Sequence, residues 1–597
     1  MCGISGAFIK DKEERIDREE MYRIRERMFN RGPDGKGIWF SSNEKVCLAH
    51  RRLSIIDPSD NSSQPMMDAL NGNVIVFNGE IYNYQNLKNK LENLGHKFRT
   101  KSDTEVILIL YREYGLKLFI HLKGMFSFAL WDEGKKELIL ARDPIGIKPL
   151  YYSNDTKSIK FASQVKALLS GNNINKRLSP AGNVGYFLWG SVPEPYTIFK
   201  GIKSIPNGFY FIIDSEGKII KKKYDSIADR ISNIESNSTD LSKKELITQI
   251  IDNIDKVVSY HTTSDVPIST FLSAGFDSFI ISKLASKYSN LKSFTLDNMN
   301  YNESINSEIY YAKLISKKLN FKSFTKEISL NDINNELDLF LSKMDQPTVD
   351  GLNIWFVSKL AKENGIKVSL SGLGGDEIFG TYPTFTAIPK ILKYCSFFKR
   401  NSKSTIIFRD LVRNFIPSSI SKKYASIFEF GTDLSAAYFL KRSLFLPWQL
   451  LDFMDKNFVE EGLDDLKVIK NLDKNHQNIK SSKLAISTLE INNYMKNTLL
   501  KDSDWCGMTN SVEIRVPFAD IDLIENLLKL EANKFSKSII AKEIDSSFPN
   551  EFYYRKKTGF DINFASSKAF SKNQKVSKID NYIWAKKVYY SYLNLNN

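Results

Sequence analysis

Near residue 240 the rhythm of the chain changes, and that change limits it to two dissimilar folding units. Before it, short apolar runs at 74–77, 126–130, 138–140 and 151–152 are broken by Gly and Asn, and helices are expected at 19–28 and 105–114. This spacing predicts strand-rich sheets with a few covering helices. After it, strands and helices alternate: 267–272, 291–296 and 366–370 read as strands, and 278–288, 307–319 and 353–364 as helices. Alternation with short loops predicts a parallel, doubly wound sheet, whose ligands bind at the carboxyl ends of the strands. The polar stretch 229–239 reads as a linker, 388–483 as a helical elaboration, and the residues after about 572 as polar and peripheral.

A chain of 597 residues, 42% hydrophobic, is long enough for two or more cores. Its four cysteines, Cys2, Cys47, Cys395 and Cys506, are scattered without a CxxC pair, which argues against a disulfide framework or a zinc site. No apolar leader and no run of membrane-spanning length is evident, so a cytoplasmic protein with no membrane partner is expected. The net charge of +15 is spread over many lysines with no nucleic-acid motif, so no nucleic-acid partner is expected.

The chain begins Met1-Cys2-Gly3-Ile4. Removal of Met1 leaves Cys2 with a thiol and a free α-amine, whose pKa near ~8 lets it take the thiol proton without a histidine. Four elements follow: Arg31-Gly32-Pro33-Asp34-Gly35, Arg52 to Asp57, Asn78-Gly79-Glu80, and Ser102-Asp103-Thr104-Glu105. Singly, each reads as a turn or a solvated charge. Together with Cys2 they resemble the glutaminase domain of class II glutamine amidotransferases, with Asn30 where that family usually has His. The resemblance implies that Cys2 attacks the glutamine amide and that Asn78 and Gly79 form an oxyanion hole. It also implies that Arg52 pairs with the α-carboxylate, while Asp103, helped by Glu80, holds the α-ammonium.

In the second unit, Ser273-Ala274-Gly275-Phe276-Asp277-Ser278 joins a strand to a helix, where small residues let backbone N–H groups face a pyrophosphate. It resembles the PP-loop of the N-type ATP pyrophosphatases, with Ala274 in place of the first Gly. A second strand-ending loop, Ser371-Gly372-Leu373-Gly374-Gly375-Asp376-Glu377, could close on the same nucleotide, with Asp277 and Asp376 as Mg²⁺ ligands. Segments 494–502, 513–520 and 555–560 extend the resemblance to glutamine-hydrolysing asparagine synthetases. That resemblance implies ATP contacts from Leu272, Ser273, Gly275, Asp277, Ser278, Leu296, Ser371 and Gly372, and a catalytic role for Lys557.

The implied fold is α/β: an αββα Ntn-hydrolase sandwich followed by a doubly wound PP-loop domain. The expected division is a glutaminase domain at 1–206, a connecting segment at 207–240 and a synthetase domain at 241–597. The implied reaction amidates a carboxylate, aspartate by default, through an acyl-adenylate, using glutamine, ATP and Mg²⁺ and an internal ammonia tunnel. A homodimer is compatible with it. Three departures fall near the second site: Ala274, Leu373 where relatives carry an acid, and Gln164 in place of Glu. They leave two alternatives open, amidation of a uronic acid of a surface polysaccharide, or a non-catalytic paralogue.

Overall fold

The computed structural model describes residues 2–234, 241–298, 308–400, 402–417, 420–555 and 580–596. The N-terminal unit is built on two antiparallel six-stranded sheets. One runs, edge to edge, Lys203–Ser204, Tyr151–Asn154, Ser158–Ala162, Gly3–Ile9, Val46–Arg52, Gly35–Phe40. The other runs Ile219–Lys223, Phe209–Ile213, Glu137–Arg142, Gly124–Asp132, Val74–Ile81, Met66–Met67.

The two-residue period of a strand explains how they stack. Ile4 and Phe8 of one sheet, with Val74 and Val76 of the other, enter a shared core between the sheets. Their alternates point outward: Ile75 and Phe77 meet Val106 and Leu110 of the helix Asp103–Tyr114, and Ala7 and Cys47 meet Met21 and Ile24 of the helix Arg18–Glu26. The result is an αββα sandwich. Strands Phe209–Ile213 and Ile219–Lys223, in the stretch read as a connection, pair with each other and with Glu137–Arg142 and so belong to the second sheet.

The second unit holds an all-parallel sheet in the order Lys322–Ile328, Lys292–Asn298, Ile268–Phe271, Val368–Leu370, Glu513–Arg515. Chain order reverses between the Ile268 and Val368 strands, where Thr270 lies beside Leu370. The loops leaving these two strands therefore flank the topological switch point, the usual ligand crevice of such sheets. Helices dominate 384–489, as expected.

Two sequence expectations are corrected. Residues 227–232, which run into the expected linker at 229–239, form a helix: Ser226 caps it, Ile227 and Ile231 are buried, and Arg230 pairs with Asp225, Asp522 and Glu525. Polar composition hid a docking helix with one apolar edge. The expected peripheral tail contains the helix Asp580–Asn596, whose Trp584, Ala585, Val588, Tyr589 and Tyr592 recur on one face and are buried. Tyr589 Oη donates to Asn183 Oδ1 at 2.6 Å and Tyr592 Oη to the Asp345 carbonyl at 2.8 Å, so this helix ties the sandwich to the second unit.

Candidate active site

Cys2 immediately precedes the central strand Gly3–Ile9, and Asn78-Gly79 lie in the facing sheet. The Cys2 backbone N–H donates to Asn78 Oδ1 at 3.0 Å, and the Cys2 carbonyl accepts from Arg31 Nε at 3.0 Å. The Asn78 amide group also reaches Ser127 Oγ at 3.4 Å, leaving its second N–H for another acceptor. Gly79 admits no side chain, because a Cβ there would lie 2.1 Å from the Met125 carbonyl oxygen of the neighbouring strand. Burial pushes the Cys2 thiol above its usual range, against the pull of the Leu53 N–H and the Arg52 guanidinium. A thiol so placed needs a base. No histidine lines its cavity, and His50 is a buried core residue held neutral by burial, down to about 3.

That cavity is lined by Cys2, Arg52, Gly79, Glu80 and Asp103, so five of the six residues expected to read or attack glutamine share one space, with Asn78 bonded at its edge. Arg52 is fixed by donating to the carbonyls of Ser59, at 2.8 Å, and Asp57. Asp103 opens its helix after the cap Ser102, whose Oγ accepts the Thr104 N–H, and its Oδ2 accepts the Ile81 N–H at 3.0 Å. Burial lifts its carboxyl to about 6, with the Ile81 N–H pulling the other way.

A further wall residue of this cavity, Glu513, comes from the second unit. Arg515 is fully buried and donates Nε to Glu513 at 2.6 Å, Nη2 to Glu80 at 2.8 Å, and Nη1 to the carbonyls of His261 and Thr263. Burial alone would raise the Glu513 carboxyl, but positive charge around it, Arg515 and Lys148 included, overrides this and holds it at about 2. Arg31 makes a second tie, pairing with Asp504 through both Nη atoms at 2.6 and 3.1 Å while holding the Cys2 carbonyl. Asn30, in the place of the expected His, accepts Ser511 Oγ through its carbonyl. Removing one partner of such a buried pair costs about 3–5 kcal/mol, because it leaves the other charge buried and uncompensated at the junction of the two units.

At the switch point a cleft of about 310 Å³ is lined by all eight residues expected to contact ATP, from Leu272 and Ser273 to Ser371 and Gly372. That size and its mix of apolar and polar walls suit a nucleotide. The two loops touch: a Cβ on Gly372 would sit 2.6 Å from the Ser278 nitrogen. Ala274 is not among the residues with left-handed backbone, and its methyl is buried in the core, so an alanine in place of Gly brings no backbone strain here. Its N–H donates to Glu308, and its carbonyl accepts from Arg555. Leu373 lines the cleft and packs on the same core. Gln164 lines a separate interior cavity between the units with Arg31, Ser191 and Asp502.

The carboxylates of Asp277 and Asp376 converge on Lys537 Nζ, at 2.5 and 2.6 Å. Burial opposes the charge on Lys537, but the two aspartates overcome it and raise its pKa. No set of three His, Cys, Asp or Glu able to hold a metal occurs among the described residues. Two carboxylates that need phosphate oxygens to complete a shell are what Mg²⁺ ordinarily takes with a nucleotide, so the donor set fits. Sequence reasoning missed Lys537, which no motif marks. Lys557 lies outside the described residues.

Residues 1–225 match the family described as a glutamine amidotransferase domain, and residues 249–577 the family described as asparagine synthase. Asparagine synthetase (glutamine-hydrolyzing) 1 of Bacillus subtilis is 32% identical over 576 residues, covering 94% of this chain and 87% of that protein. Asparagine synthetase B (glutamine-hydrolyzing) of Escherichia coli is 30% identical over 412 residues, 65% of this chain and 66% of that protein. Amidase chry2 of Gibberella zeae is 29% identical over 418 residues, 65% of this chain and 60% of that protein. No described helix is long and apolar enough to cross a membrane.

Proposed function

The chain belongs to the asparagine synthase family, with a glutamine amidotransferase domain at its N-terminus, and from that premise we propose that it moves the amide nitrogen of glutamine to an ATP-activated carboxylate, aspartate first among acceptors. The observation that carries this reading is the single cavity shared by Cys2, Arg52 and Asp103. It offers a nucleophile in one space with a fixed cation, Arg52, and the carboxylates of Asp103, Glu80 and Glu513, the complement of an α-amino acid. Cys2, once its α-amine is free, attacks the amide carbon, and the thiol proton passes to that amine. The Asn78 amide and the Gly79 N–H receive the developing oxyanion. Glu80 supports Asp103 in reading the ammonium.

In the second unit, Leu272, Leu296, Ser371 and Gly372 receive the adenosine, and Ser273, Gly275 and Ser278 the phosphates, beside the N-terminus of the helix Phe276–Ala285. Asp277 and Asp376 would hold Mg²⁺, which when bound neutralises charge on the phosphates. The acceptor carboxylate attacks the α-phosphorus, pyrophosphate leaves, and ammonia then displaces AMP from the acyl-adenylate. Lys557 stabilises charge in these steps. The interior cavity that Gln164 lines is the path we assign to ammonia; water entering it would hydrolyse the adenylate.

The test is incubation with glutamine, Mg-ATP and aspartate. Asparagine, glutamate, AMP and pyrophosphate are expected in equal amounts, and Cys2→Ala should abolish glutamine use while sparing the reaction with ammonium salts. Glutamate release with no pyrophosphate for any carboxylate would sink the proposal. A uronic acid is the alternative acceptor, and the apolar Leu373 in the cleft wall is the departure that keeps it open. Pyrophosphate release with a uronic acid and none with aspartate would establish that reading.

A further inference from the structure

Between residues 388 and 426 the chain carries nine Lys and Arg against one carboxylate, Asp410, so a charge that looked evenly spread supplies +8 of the net +15 here. The same stretch exposes large apolar side chains that none of the described residues covers. Tyr394 is 67% exposed and Phe397 82%, at and just beyond the end of the helix Thr384–Cys395. Leu411 is 65% exposed and Phe415 85%; with Ile407, at 59%, they recur every fourth residue along and beyond the helix Lys403–Val412. That periodicity is one helix face, and it points to solvent. Phe398 and Phe408 both pack on Phe428, at 4.6 and 4.9 Å between rings, which sets the two apolar edges side by side.

The cations interleave with this face. Lys390 lies one turn before Tyr394, Lys393 one turn before Phe397, and Lys403 one turn before Ile407. Lys390, Lys393, Lys399, Lys403 and Lys422 are exposed and make no ion pair among the described residues. Scattered exposed apolar residues are ordinary, but a contiguous apolar edge rimmed by unpaired cations marks an interaction surface.

We propose that this face docks the protein peripherally on an anionic phospholipid bilayer, its aromatic and aliphatic side chains entering the headgroup layer and its lysines meeting the lipid phosphates. Interfacial helices have this composition, apolar on one side and Lys/Arg-rich beside it. The charge argues against the other occupants. A second copy of the chain would bring two cationic faces together. Residues 556–579 carry six lysines and one aspartate, so covering the face with them would add charge of the same sign. Nucleic acid would match the charge but has no use for exposed Ile407, Leu411 and Ile420.

Vesicle co-sedimentation of the full chain tests this. Binding to phosphatidylglycerol-containing vesicles should exceed binding to pure phosphatidylcholine at least about tenfold in low salt, and weaken as salt is raised to roughly 0.5 M. Phe397→Ser, Leu411→Ser and Phe415→Ser together should abolish binding with glutaminase activity unchanged, since none of these residues touches either cavity. If that variant does not fold, Lys390→Glu with Lys393→Glu and Lys399→Glu should produce the same loss. Equal binding to both vesicle types, no binding to either, or binding undiminished in a folded variant overturns the proposal. So does a dimer that the serine variant dissociates, or single-stranded RNA retained in place of vesicles.

Discussion

Asp103 is the carboxylate through which pH should reach the glutamine site. Burial lifts it to about 6, so the ionised form that attracts an ammonium prevails above that pH and is lost below it. The kcat/KM for glutamine, which reports the free enzyme, should therefore fall about tenfold per unit below pH 6, and Asp103→Asn should remove that limb while raising KM. A profile flat from about pH 7 to 5 would contradict the assignment. At Ala274 the expectation is little change: its methyl is in the core and its backbone is unstrained, so Ala274→Gly should alter pyrophosphate release by no more than about twofold while lowering stability by ~0.4–1 kcal/mol. A large gain would mean that the methyl obstructs the phosphates. Cys2, Arg52, Asn78 and Asp103 were legible in the sequence because their order and spacing together resemble a glutaminase domain, although singly each reads as a turn or a solvated charge. Arg515 and Lys537 were not, because their partners are remote: Arg515 meets Glu80 across 435 positions, and Lys537 meets Asp277 across 260.

At the scale of elements, the three-residue strand Glu513–Arg515 bears on both sites. Glu513 faces the glutamine cavity, and the Arg515 carbonyl accepts the N–H of Ser371, the first residue of the nucleotide-side loop, at 2.8 Å. Glu513→Gln keeps the shape but removes the charge. It should raise KM for glutamine about tenfold, roughly 1.4 kcal/mol, while ammonia-dependent pyrophosphate release stays within about twofold. Equal losses in both assays would indicate disturbed packing instead. In the sequence this segment stood out only through the resemblance carried by 513–520, because no strand–helix alternation leads into it as it does for Val368–Leu370. Alternation over some hundred residues did reveal three strands of the same sheet and the helices between them, but not the edge strand Lys322–Ile328 or the helix Leu330–Lys343.

For the whole molecule, the two-unit plan was readable from the change of rhythm near residue 240, but the tie that closes it was not. The helix Asp580–Asn596 looked peripheral because Asn, Lys and Tyr dilute its apolar stripe; only packing against Tyr186, Asn183 and Asp345 reveals that stripe as interface. Trp584, 3% exposed, donates Nε1 to the Val349 carbonyl. Trp584→Ala should cost about 3–5 kcal/mol and lower the apparent melting temperature by calorimetry; an unchanged melting temperature would show that the helix is not a tie. Glu513 has one more consequence. Since the second unit provides part of the cavity around Cys2, an N-terminal half that is nicked away or misdocked carries a nucleophile with an incomplete recognition surface. Such a fragment would use glutamine less well than the whole protein, so damaged copies would drain the glutamine pool more slowly.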